Sequence, residues 1–114
     1  MRQRIPPDWY PRRGEVYLAK LDKRRPALVV SADALNRFAL DVCVVPITSV
    51  EHAQFSLRVL IPAGEGGLAI ASWAKCDQVT TLGKTLLHIP PLGAISRASL
   101  ARVELAIKRA LSLP

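Results

Sequence analysis

Apolar and polar positions alternate over short stretches through most of this chain, and only the tail switches to helical spacing. Glu15 to Leu21 sets Val16, Leu18 and the stem of Lys20 on one phase and predicts a first strand. Asp22-Lys23-Arg24 then forms a short charged turn. Pro26 to Ser31 is a continuous apolar run, the pattern of a strand buried on both faces. Asp33 to Phe38 fits one helical turn, with Ser31 or Asp33 as its cap. Asp41 to Ile47, dense in valine and closed by Pro46, predicts a third strand. Phe55 to Ile61 predicts a fourth, with Leu57, Val59 and Ile61 alternating against Ser56, Arg58 and Leu60. Pro62 to Gly67 is a glycine-rich turn, Ile70 to Thr80 a fifth strand, and Leu86 to Ile89 a weaker sixth.

The tail reads differently. Ser96 can cap a helix from Arg97 to Leu111, on which Leu100, Val103, Ile107, Ala110 and Leu111 recur at helical spacing. Arg102 and Arg109 fall near the opposite face, and Glu104–Lys108 is an i,i+4 pair. The first twelve residues hold three prolines and several charges, so they read as a basic arm (1–12) before a single domain (13–114). Trp9 and Tyr10 tack that arm onto the domain more plausibly than they stack on a base. Strands at short spacing with one amphipathic C-terminal helix make a mainly β, α+β domain, most simply a small barrel closed by the helix.

Charge changes the picture more than composition does. The chain of 114 residues carries 16 Lys+Arg against 9 Asp+Glu, a net charge of +7, and eleven of the cations are arginine. Eight cations and three carboxylates lie in residues 1–25, so most of the excess is at one end. Arginine favours planar contact with phosphate, and a polyanionic partner is the natural reading. Cys43 and Cys76 sit in apolar runs and read as free core thiols, with no histidine at zinc-ligand spacing. Prolines interrupt any apolar stretch behind the basic N-terminus, and no apolar run is long enough to span a membrane, so a cytoplasmic protein is expected.

Familiar catalytic sets are absent from the sequence. Gly64-Glu65-Gly66-Gly67 lacks the Lys-Ser/Thr of a phosphate loop, and the carboxylates are too scattered for a two-metal nuclease. His52 and His88 have no placed partner, so each reads as structural or solvated. Two places are unusual. Lys23-Arg24-Arg25 puts three cations in a tight turn, which either fan into water or hold a phosphate. Pro46-Ile47-Thr48-Ser49 puts two hydroxyls at a strand end, either to finish the strand or to donate to a phosphate oxygen.

These places occur in order within a longer pattern: Arg13-Gly14-Glu15-Val16-Tyr17, Arg25-Pro26-Ala27-Leu28-Val29-Val30-Ser31, Val44-Val45-Pro46-Ile47-Thr48-Ser49, Pro62 to Leu68, and Cys76-Asp77-Gln78-Val79. The pattern resembles the MazF/PemK family of toxin endoribonucleases over residues 13–112. The resemblance implies a small SH3-like β-barrel of that type, with short helices and a homodimeric state. It implies metal-independent, cofactor-free, sequence-selective cleavage of single-stranded RNA (mRNA, tRNA or rRNA), which arrests translation and growth. It also implies a cognate antitoxin whose acidic, flexible C-terminal segment covers the RNA groove. The family's catalytic Arg and Thr map to Arg25 and Thr48. Lys23, Arg24, Ser49, Asn36 and Gln78 are expected RNA contacts. One departure is the short Leu21–Arg25 connection, where many members have a longer loop that shapes base recognition.

The expected chemistry is attack of the RNA 2′-hydroxyl on phosphorus, leaving a 2′,3′-cyclic phosphate and a 5′-hydroxyl end. An ordinary arginine is a poor proton carrier at neutral pH, so Arg25 is expected first to stabilise the developing charge and second to pass a proton to the leaving oxygen. Thr48 is expected to orient the phosphate or the 2′-hydroxyl. Two rivals keep the fold: a toxin that inhibits DNA gyrase, and a basic RNA-binding barrel without catalysis.

Overall fold

The computed structural model describes residues 3–51 and 57–114. Seven strands and two helices follow in the order β1 (Glu15–Lys20), β2 (Arg24–Val29), α1 (Asp33–Phe38), β3 (Asp41–Thr48), β4 (Arg58–Ile61), β5 (Ser72–Lys75), β6 (Thr80–Gly83), β7 (Leu87–Ala94) and α2 (Arg97–Ala110). All pairings are antiparallel. The strand path is β4-β5-β3-β2-β1-β7, with β6 also on β3. The path does not close between β4 and β7 through hydrogen bonds. Arg102 of α2 instead reaches the Leu60 carbonyl on β4, 3.3 Å away.

The central strands are buried on both faces, as the apolar run in β2 predicts. Leu28 enters one core with Val16, Val45, Ile47, Val59, Ile61 and Ala74, while Ala27 and Val29 enter a second with Tyr17, Val42, Val44 and Leu87. The single buried phase expected for β1 is therefore incomplete. Val16 faces the first core, Tyr17 and Ala19 face the second, and Leu18 is only half-buried.

Helix α2 closes the first core. The Ser96 hydroxyl accepts the Ser99 N–H at 3.1 Å, which satisfies one of the unpaired donors of the first turn. Val103 is fully buried, a burial that favours folding by about 1.5–3 kcal/mol. Ala106 joins it, with Leu100 and Ile107 packed alongside, whereas Leu111 is exposed because the helix ends at Ala110. Glu104 pairs with Arg13 at 2.7 Å rather than with Lys108, so it ties the helix to the start of β1.

Other departures have local causes. The long fifth strand is two, β5 and β6, because the turn at Cys76–Val79 interrupts it and the Gln78 N–H bonds to the Lys75 carbonyl. The weak sixth element extends through Pro90 and Pro91 to Ala94, and its only strand partner among the described residues is β1. Prolines are tolerated on such an edge. β4 starts at Arg58, and the Phe55–Ser56 portion of the expected strand lies outside the described residues. Neither Ser31 nor Asp33 caps α1, whose N-cap is Ala32. Ser31 bonds Asn36 and Cys43 instead, and Asp33 accepts the Arg13 N–H. Cys76 is buried, but Cys43 is only half-buried.

The glycine turn contains a single 3-10 turn, Glu65–Gly67. Gly67 has φ 70°, and a Cβ there would lie 1.9 Å from the Leu92 carbonyl oxygen, so only glycine fits against β7. At the N-terminus, the Gln3 side chain bonds the Leu87 carbonyl and the Ile89 N–H of β7. Trp9 packs edge-on against Tyr17 at 6.0 Å between centroids, while the Arg37 guanidinium of α1 lies 5.8 Å from the Tyr10 ring centre. The arm's aromatics thus contact the domain.

Candidate active site

Strand β3 positions the site because it changes partner along its length. Asp41 to Val44 pair with β6, whereas Ile47 and Thr48 pair with β5. Pro46, which has no N–H to donate, sits in the gap where the sheet splits. The split opens a cleft of about 450 Å³, lined by Leu21, Asp22, Arg25, Pro46, Lys75, Gln78 and Thr80.

Cross-strand register sets what faces this cleft. β2 and β3 pair Ala27 with Pro46, and the same register carried two residues outward sets Arg25 opposite Thr48. Thr48 in turn pairs with Trp73 on β5, and Trp73 with Leu60 on β4. Arg58 pairs with Lys75 in the adjacent row. Paired residues project to the same side of a sheet, so Arg25, Thr48, Trp73, Lys75 and Arg58 share one face. That face continues the second core outward, beyond Ala27 and Val44.

Arg25 is held but not saturated. Its Nη2 donates to the Asp22 carboxylate at 3.2 Å across the tight turn. Its Nε–H is buried and has no partner among the described residues, and the same is true of Nη1 of Arg58. A buried donor without an acceptor is costly, so both guanidinium groups call for an acceptor that the described residues do not provide. The Lys23 N–H first, with the Arg25 charge behind it, holds the Asp22 carboxyl below its usual range. Asp22 is thus an anion that orients Arg25, and the short connection supplies an acidic residue despite its length.

Thr48 is half-buried at the end of β3. Its hydroxyl oxygen accepts the Val50 N–H at 3.1 Å, which leaves the hydroxyl hydrogen free to donate outward. Gln78 and Lys23 are exposed, with Gln78 in the cleft lining and Lys23 in the turn beside Asp22. Ser49 is exposed directly after Thr48.

Two expected RNA contacts fall elsewhere. Asn36 is completely buried, with its amide bonded to the hydroxyl and the carbonyl of Ser31, so it braces α1 against β3 rather than meeting a ligand. Arg24 alternates with Arg25 and faces the other side of β2. There it lies opposite Lys20 and lines a larger hollow of about 870 Å³ with Gln3, Ile5, Leu18 and His88. His88 is therefore across the sheet from Arg25, and His52 lies outside the described residues. The larger hollow lacks Arg25, which lines the smaller cleft, so volume alone would select the wrong face.

Arg58 and Lys75 carry no motif, and their place beside Thr48 emerges only from strand pairing. The signal in the sequence was the alternation Ser72-Trp73-Ala74-Lys75, with polar or large groups on the phase away from the core.

Residues 12–111 match the family model described as the PemK-like, MazF-like toxin of type II toxin–antitoxin systems. The chain belongs to this MazF-like toxin family. Endoribonuclease MazF9 of Mycobacterium tuberculosis is 33% identical over 115 residues, covering 90% of this chain and 97% of that relative. Endoribonuclease MazF1 of Mycobacterium bovis is 30% identical over 105 residues, covering 91% of this chain and 95% of that relative. A solved endoribonuclease from a mycobacterial species superposes with a TM-score of 0.82 at 29% identity, covering 96% of this chain and 98% of that one. A second, solved in complex with its cognate antitoxin, gives 0.77 at 30% identity and covers 92% of this chain and 96% of that one. The curled antiparallel sheet with its C-terminal helix is thus the MazF type of barrel, although its strand path is not closed by hydrogen bonds. No helix among the described residues of this MazF-like chain is long and apolar enough to cross a membrane.

Proposed function

We propose that this MazF-like toxin is a metal-independent endoribonuclease that cuts single-stranded RNA at the Arg25–Thr48 face. The observation that carries the reading is Arg25 itself: a guanidinium braced by Asp22, opposite Thr48 when the Ala27–Pro46 register is continued, with a buried Nε–H that lacks an acceptor among the described residues. A phosphate oxygen supplies that acceptor. Family membership and relatives named as endoribonucleases support the same reading.

The RNA 2′-hydroxyl loses its proton to water as its oxygen attacks the adjacent phosphorus, and the bond to the 5′-oxygen breaks as that oxygen takes a proton back from water. Charge grows on the non-bridging oxygens, where Arg25 is a fixed cation needing no reorganisation. The Thr48 hydroxyl donates to the same phosphate and aligns it with the 2′-oxygen. Asp22 acts on Arg25 as a positioning residue, since its lowered pKa makes it a weak base. Lys23, Ser49, Gln78, Lys75 and Arg58 hold flanking phosphates and bases. Two copies of the chain form the active dimer. An acidic, flexible antitoxin segment neutralises the cationic face in the cytoplasm, as the net charge of +7 favours.

Inducing the wild type and the Arg25→Ala and Thr48→Ala variants in a bacterial host tests this. The wild type arrests growth and fragments RNA, and EDTA leaves the purified activity intact. Both variants stay folded and fail to arrest growth. Full toxicity of Arg25→Ala, or a strict divalent-metal requirement, refutes the proposal. Arrest with intact RNA and inhibited gyrase would favour the gyrase-poison alternative.

A further inference from the structure

The chain has two tryptophans, Trp9 and Trp73, and uses them differently. Trp9 packs against the second core. Trp73 belongs to neither core among the described residues, although it sits in the middle of β5. Its strand neighbours Ser72 and Ala74 are buried, whereas Trp73 and Lys75 are half-buried on the other face. A large indole is seldom left out of a core without a use, because burying it is among the most favourable contributions a side chain makes.

The surroundings say what that use is. Trp73 lies directly across from Thr48, and cross-strand partners have Cβ atoms roughly 4.5–5.5 Å apart. Leu60, half exposed on β4, flanks it on the other side. In the next row stand Lys75 and Arg58, the latter with its buried unpartnered Nη1. An aromatic plane thus adjoins a hydroxyl donor and two cations. These are the complementary parts for one nucleotide, in which a base joins an anionic backbone.

The geometry points to Trp73 as the stacking platform for the base next to the cleaved phosphate, with Arg58 holding the phosphate on its outer side. The inference rests on the Arg25–Thr48 face being where RNA is cut. Stacking reads no hydrogen-bond pattern, so Trp73 contributes affinity and alignment without fixing the identity of the base.

The test uses the full chain with Trp9→Phe, which leaves Trp73 as the sole indole. An RNA with deoxyribose at the mapped cut position is titrated in, and indole emission is read beside the anisotropy of the end-labelled RNA. The expected result is saturable quenching that tracks binding. On normal RNA, Trp73→Ala lowers kcat/KM by about 5- to 150-fold, the equivalent of losing one stacked base. Trp73→Phe recovers most of that loss, and the cut sequence is unchanged. Binding without quenching overturns the inference, as does wild-type kcat/KM in Trp73→Ala. A loss in Trp73→Ala that coincides with a changed sedimentation mass also overturns it, since the indole then joins two copies of the chain. Quenching that tracks RNA binding in a wild type that cuts no RNA at all would refute the nuclease reading and leave the stacking platform standing.

Discussion

Replacing Arg25 with lysine keeps the charge and removes the geometry. The guanidinium Nη2 bonds Asp22, and Nε–H is the buried donor aimed at the proposed phosphate. Lysine has a single nitrogen, which cannot serve both positions. One charge-assisted hydrogen bond is worth about 1.5–3 kcal/mol, and loss of a donor to a developing oxyanion costs about 10²–10³ in rate. Arg25→Lys should therefore cut the single-turnover rate on RNA by about 10²-fold, and Arg25→Ala by about 10³-fold. Stability should barely move. The one ion pair lost among the described residues is with Asp22, whose side chain is 73% exposed, and such surface pairs contribute about 0–1 kcal/mol. Removing a buried donor without an acceptor offsets part of even that. The melting temperature should thus shift by no more than about 4–8 °C while the rate collapses. Stopped-flow or quench cleavage of a labelled RNA, beside a thermal melt, separates the two effects. A lysine variant that cuts at the wild-type rate would refute the role given to the Arg25 fork.

Three further outcomes follow from packing and protonation. Ser96→Ala removes the α2 cap and should cost about 1 kcal/mol by denaturant unfolding, whereas Ser96→Thr should recover most of it. Burial pushes the Cys76 thiol up to about 12, so in the native protein Cys76 should resist a thiol reagent that modifies half-buried Cys43. Rapid native-state labelling of Cys76, read by mass spectrometry, would contradict the packing of the first core. The Ser96 N–H, followed by the Ser99 side chain, holds the Glu65 carboxyl below its ordinary value. A depressed carboxyl stabilises the fold above its unfolded pKa, and that contribution fades as pH falls through its folded pKa. Glu65→Gln should therefore flatten the acid limb of a stability-against-pH curve, and an unchanged limb would remove Glu65 from the account.

The parts of the fold that were legible in the sequence are those set by local pattern. The apolar run of β2 announced a strand between two cores, and Ser96 with Val103 and Ile107 announced α2. What the sequence withheld was pairing. Nothing local distinguishes one long strand over 70–80 from β5 and β6. The break arises because two different stretches of β3 bind the two halves. The site divides in the same way. Arg25 and Thr48 were proposed from ordered motifs, and continuing the β2–β3 register two residues past Ala27–Pro46 sets them opposite each other. Arg24 looked equivalent to Arg25, yet strand alternation sends it to the other face. Asn36 looked like a polar contact, yet burial gives it to Ser31. Trp73 and Arg58 had no motif, and only long-range strand order brings them beside Thr48.

Cleavage chemistry tests the central claim most directly. Purified wild-type protein is incubated with a long single-stranded RNA in EDTA, and the new ends are identified by phosphatase, kinase and mass analysis. The account predicts discrete fragments bearing 2′,3′-cyclic phosphates and 5′-hydroxyls, none of which form with Arg25→Ala. Intact RNA, or fragments with 5′-phosphates, would contradict it.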